Sequence, residues 1–199
     1  MSMLFDRRGQ RKYLTPNERE AFIGAAIQRN PLEASFCLTL AISGARISEV
    51  LALTSRRIDH ENEAIIFETL KRRRAGVFRA VPMPRDLISL IRQLPTMQGE
   101  RIWPWCRTKA WSLIKDVMSD AGVENAIGKP KALRHAFGVY AGQNQIPLNL
   151  VQRWLGHARI ETTAIYADAL GEEERNLAKR MWNASWRYIA VNKAFSNDL

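Results

Sequence analysis

Arg46 and Arg134 each stand beside apolar sequence of helical pattern, where a backbone can hold a guanidinium rigidly. Such a group stays charged and binds two oxygens in one plane, which suits a phosphate. Tyr166 follows Leu155-Gly156-His157, nine residues beyond the histidine. A phenol with an ordinary pKa near 10 attacks well only if nearby cations favour its ionised form. Breaking a phosphodiester needs stabilisation of charge on the nonbridging oxygens, which guanidinium groups suit, a nucleophile, and a proton for the departing oxygen. Taken singly, each residue has a plainer reading: a surface ion pair for an arginine, a core residue for a tyrosine or histidine. Only three histidines occur, His60, His135 and His157, and they are far apart in sequence. Cys37 and Cys106 form no CxxC pair, so metal clusters and a structural disulfide are not expected.

Several elements must position these groups. Thr15-Pro16-Asn17-Glu18 reads as a capped helix start, with Phe22, Ile23, Ala26 and Ile27 on one inward face and an end near Asn30. A central apolar helix runs from Leu32 to about Ile42, and a third from about Arg46 to Leu53. Ala64–Phe67 and Val77–Val81 are short β-type runs joined by the basic stretch Lys71-Arg72-Arg73-Arg74-Ala75-Gly76, read as a hairpin tip or loop. Helical patterns resume over Arg85–Leu94, Lys109–Ala121, Lys131–Ala141, Leu148–Leu155, Ile160–Ala167 and Gly171–Met181. The fold class is mainly α with a small antiparallel β-sheet (α+β).

Charge names the partner class. Lys and Arg outnumber Asp and Glu by 30 to 20, giving +10 over 199 residues. That excess favours polyanions through counterion release, so nucleic acid leads, with a basic protein lacking that role as the plainer reading. No apolar run is long enough to span a bilayer, and Met1–Lys12 is polar and basic, unlike a signal peptide. A membrane role is not expected, and the cytoplasm is the default location.

Three segments together resemble the tyrosine recombinases, the phage integrase family. Ser43-Gly44-Ala45-Arg46-Ile47-Ser48-Glu49-Val50 is similar to their first arginine box, and Lys131-Ala132-Leu133-Arg134-His135 to their second. Leu155-Gly156-His157, Thr162-Thr163 and Tyr166 are similar to their third. The resemblance implies a site-specific recombinase that cleaves and rejoins double-stranded DNA through a 3′-phosphotyrosine, without metal, ATP or other cofactor. It makes Tyr166 the nucleophile, Arg46 and Arg134 the phosphate clamp, and His157 a hydrogen-bond donor to the phosphate. Lys71 becomes the candidate general acid for the 5′ oxygen, with a basic loop on the DNA backbone as its plainer alternative. Arg72, Arg73 and Arg74 become DNA contacts, while Glu49 and His135 support the site. A tetramer on two duplexes is implied as the working assembly.

Two departures stand out. The second box usually opens with histidine, and this chain has Lys131, which can give the phosphate a cation but leaves the route of the tyrosine proton open. Arg46 also lies so near the start that the helical domain usual before the first box does not fit. Residues 1–182 are therefore expected to form the catalytic domain, either as in the short recombinases of fimbrial switches or as a truncated catalytic domain. Residues 183–199 form a tail whose Trp186 and Phe195, with Trp182 just before it, suit either a neighbouring subunit or their own domain. The rival readings are a DNA-binding regulator that has lost catalysis and a type IB topoisomerase.

Overall fold

The computed structural model describes residues 4–69, 76–95, 100–123 and 127–166. Lys71, Arg72, Arg73 and Arg74, the helix expected over 171–181 and the aromatic tail lie outside those residues. Eight helices and three strands are present in the described part: α1 (Pro16–Ile27), α2 (Pro31–Ser43), α3 (Ile47–Leu51), β1 (Ile58–Asp59), β2 (Ala64–Glu68), β3 (Phe78–Pro82), α4 (Arg85–Arg92), α5 (Arg107–Asp120), α6 (Pro130–Gln143), α7 (Leu148–Leu155) and α8 (Glu161–Ala164). The strands make one antiparallel sheet in the order β1-β2-β3, with Ile65 opposite Val81 and Phe67 opposite Arg79. β1 has two residues, too few for an alternating pattern to show in sequence.

α1 starts where its capping box requires. The Thr15 hydroxyl accepts the Glu18 N–H, and the Glu18 carboxylate accepts the Thr15 N–H at 2.7 Å. Phe22 and Ala26 are buried, but Ile27 is 57% exposed, contrary to the expected face. It lies about 100° of helical rotation beyond Ala26 and so turns away from the core.

α2 is central, packing against α1, α4 and α6. Phe36 and Leu40 join Val50, Leu53, Ile65, Phe67, Trp103 and Leu133 in the main core. A second apolar cluster gathers Leu4, Phe137, Val151, Leu155 and Tyr166 around α6 and α7. The site lies where these two cores meet.

The turn out of α2 fixes the path to Arg46. Gly44 caps the helix in the left-handed region (φ 61°), and a Cβ there would lie 2.6 Å from the Phe137 ring. Only glycine serves both the turn and the close approach of α6. Gly44→Ala is expected to lose roughly 2 kcal/mol or more of stability in urea unfolding, from backbone strain and overpacking. A change below about 0.5 kcal/mol, the range of an ordinary surface substitution, would contradict this packing.

Candidate active site

Glu49 organises the first box. It is 1% exposed, and its carboxylate accepts the Arg46 backbone N–H at 2.9 Å and Arg46 Nη1 at 2.8 Å. It also accepts Arg79 Nη2 at 2.7 Å. Burial alone would raise its pKa, but the Arg79 charge and the Arg46 N–H outweigh that and hold it below the ordinary range. Arg46, 26% exposed in its side chain, is thereby fixed at the base while remaining accessible.

Sequence reading missed Arg79, which is 7% exposed. Besides Glu49, its Nε donates to the Trp154 carbonyl at 2.7 Å and its Nη1 to Thr69 Oγ1 at 3.0 Å. One guanidinium thus ties β3 to α3, to the end of β2 and to the last turn of α7. A signal existed: Arg79 and Val81 share the inward phase of a two-residue repeat.

Arg134 comes from α6 and is 9% exposed. Its two Nη atoms donate at 2.7 Å to the carbonyls of Gly44 and Leu155. These carbonyls lie at the C-terminal ends of α2 and α7, where free carbonyls and the helix dipole favour a cation. Burial, and next the Arg46 charge, still lower its pKa to about 10, so it remains charged at neutral pH.

Gly156, in the left-handed region (φ 67°), ends α7 and delivers His157 to the site. His157 Nδ1 lies 2.9 Å from Thr163 Oγ1, and its ring stacks on Tyr166 at a 6.4 Å centroid distance. With the threonine hydroxyl donating to Nδ1, Nε2–H is left to serve as a donor. Burial, then Arg134 and Arg46, push its pKa down to about 4.

Tyr166 is 2% exposed and seated on Gly138, where a Cβ would meet its ring at 2.5 Å. Its hydroxyl lies 3.1 Å from His135 Nδ1. His135, read from sequence as supporting structure, thus touches the nucleophile candidate directly. The cations were expected to favour the phenolate. In this structure burial outweighs Arg134 and Arg46, and the pKa is raised.

A cavity of about 720 Å³ joins these groups. Arg46, Lys131, Arg134, His135, His157 and Tyr166 all line it, Arg107 and Lys129 add charge, and no carboxylate is among its described lining residues. The structure therefore brings together the sequence-read residues that it describes, with Glu49 directly beneath Arg46.

The phage integrase family model matches residues 12–173, and the chain belongs to that family. It is 25% identical over 177 residues to a tyrosine recombinase of Thermosipho africanus, covering 85% of this chain and 61% of that protein. It is 31% identical over 156 residues to the tyrosine recombinase XerD of Brucella abortus, covering 70% of this chain and 48% of that one. The chain thus spans about half to three-fifths of these relatives. Its fold is similar to the catalytic domain of bacteriophage HP1 integrase, with a TM-score of 0.64, 23% identity, and coverage of 87% of this chain and 96% of that domain. The mostly helical fold with its small sheet is that of a tyrosine recombinase catalytic domain. Among the described residues, no helix is long and apolar enough to cross a membrane.

His135, buried, and His157, half-buried, set a pH dependence. Each has a folded-state pKa of about 4 against an ordinary 6.5, so the unfolded chain binds more protons between those values. The stability they permit is complete above 6.5 and is lost as pH falls toward 4. Thermal melting across that window should show a falling midpoint, with a shallower fall in His157→Gln. A flat midpoint would contradict the neutral imidazoles.

Proposed function

We propose that this chain is the catalytic part of a site-specific DNA recombinase, cleaving and rejoining double-stranded DNA through a phosphotyrosine bond. The observation that carries this reading is the shared cavity: a phenol, two arginines on separate elements and a histidine line one space bordered by cations. A scissile phosphate there would place its nonbridging oxygens against Arg46 and Arg134, with His157 Nε2–H as a further donor. Tyr166 Oη attacks phosphorus, forming the bond to the 3′-phosphate as the bond to the 5′ oxygen breaks. Lys71 is proposed to protonate that oxygen, and Lys131 to add a cation near the phosphate. Energy held in the phosphotyrosine lets the 5′-hydroxyl of a second strand reverse the step without metal or ATP.

The excess positive charge supports a long DNA footprint, with Arg72, Arg73 and Arg74 proposed as backbone contacts. Strand exchange between two duplexes calls for four copies, and the tail from 183 onward is proposed to bridge neighbours. The tight burial of Tyr166 favours one rival, a DNA-binding regulator that does not cleave.

Nicked suicide DNA separates the two. The wild type should form a covalent adduct on a denaturing gel, unaffected by chelator. Tyr166→Phe should bind DNA and form none, and Arg134→Ala should lose on the order of 10² or more in cleavage rate. Wild-type adduct levels from Tyr166→Phe, or a magnesium requirement, would contradict the reading.

A further inference from the structure

We propose that His135 is a catalytic residue: its Nδ1 takes the proton of Tyr166 during cleavage and returns it during religation. The inference rests on the recombinase reading above and completes the proton route that Lys131 leaves open.

The geometry is direct. Tyr166 Oη is given one hydrogen-bond partner among the described residues, His135 Nδ1 at 3.1 Å, with the ring centroids 6.0 Å apart. Both rings are buried, at 6% and 2% exposure, so water does not mediate the contact. The competing groups are placed for other work. His157 has its Nδ1 engaged by Thr163, and its ring lies near-parallel to the phenol with centroids 6.4 Å apart. Arg134 is tied to two carbonyls and remains charged, so it cannot accept a proton. Lys131 lines the cavity, but an ammonium has no lone pair to offer until it loses its own proton.

The environment keeps His135 in the accepting form. Burial, and then the charges of Lys131 and Arg134 on its own helix and Lys12 from the N-terminal segment, lower its pKa to about 4. It is neutral at physiological pH, and the proposed transfer uses the tautomer whose Nδ1 lone pair faces the phenol. Nε2 is buried with no partner among the described residues, so no carboxylate strengthens the ring as a base. Two changes during reaction compensate. A bound phosphate anion beside Lys131 and Arg134 offsets the repulsion that disfavours imidazolium. Bond formation to phosphorus also makes the phenolic proton far more acidic than in the free phenol.

The balance closes. As the bond from Tyr166 Oη to phosphorus forms and the bond to the 5′ oxygen breaks, the phenolic proton moves to Nδ1 and Lys71 supplies a proton to the 5′ oxygen. In religation the 5′-hydroxyl attacks, its proton goes back to Lys71, and imidazolium returns its proton to the departing phenolate.

Single-turnover cleavage of a nicked suicide duplex tests the assignment. His135→Asn retains an acceptor near the Nδ1 position without comparable basicity. It is expected to bind DNA as the wild type does and to cleave about 10²–10⁴ times more slowly. Replacing Tyr166 with a fluorinated tyrosine of lower phenol pKa should restore much of that loss in His135→Asn and change the wild type little. A purely structural role would show no such selective rescue. A wild-type rate in His135→Asn, or a slow variant that fluorotyrosine does not rescue, overturns the proposal while leaving the recombinase reading intact. Should the variant fail to fold, the wild-type pH profile decides. Nearly constant cleavage from about pH 8 to pH 6 is expected for an acceptor that is already neutral, and a tenfold fall per pH unit across that range overturns it. No adduct from the wild type at any pH would instead overturn the underlying recombinase reading.

Discussion

A single buried carboxylate faces more positive charge than it can balance, and much of this site follows from that. Glu49 accepts hydrogen bonds from Arg46 and from Arg79, and it is almost wholly removed from water. Removing Glu49 would leave the buried Arg79 without a counter-charge, typically at a cost of about 3–5 kcal/mol. Arg46 is held on that carboxylate by both its backbone N–H and its guanidinium. Arg79 extends the same constraint to Thr69, two residues before Lys71, and to the carbonyl of Trp154, three residues before His157. Segments far apart in sequence are held in one register by one planar group.

Arg134 is held differently, by helix ends rather than by a carboxylate. Carbonyls at the C-termini of α2 and α7 converge on its guanidinium, so the glycines that close those helices shape the cation's seat as well as the turns. Partial charges stabilise it less completely than a full negative charge would, and burial, then the Arg46 charge, lower its pKa. Among the described residues Arg46 and Arg79 share one carboxylate, Arg134 has none, and the cavity before Arg46 and Arg134 is lined by lysines and arginines without an acid. Such an arrangement suits an arriving anion. A phosphate would relieve the repulsion and make His157 and His135 easier to protonate at the stage when charge moves.

The features legible in sequence were those with local causes. The Thr15–Glu18 capping box, the apolar run of α2, the two main strands and the α7 helix all follow from neighbours within a few residues, and the structure places them close to where they were read. Arg46, Arg134, His157 and Tyr166 were legible because three short motifs keep fixed spacing. Arg79 was obscured because it looked like one more cation on a basic hairpin, and only its strand phase hinted at an inward direction. The contact between His135 and Tyr166 was also hidden, since it depends on how α6 meets the chain after α8, 31 residues later. Burial of the phenol, and with it the raised rather than lowered pKa, arises from packing of Gly138 and the second apolar cluster, which no local pattern encodes.

Anion-dependent stability is the most direct measurement of whether these cations form one phosphate seat. The thermal midpoint of the DNA-free protein would be followed against inorganic phosphate at constant ionic strength, beside Arg134→Ala. A midpoint that climbs with phosphate in the wild type by mass action, and climbs much less in the variant, is the expected result. Equal responses in both proteins would reveal only a general salt effect and contradict a shared seat for the phosphorus centre.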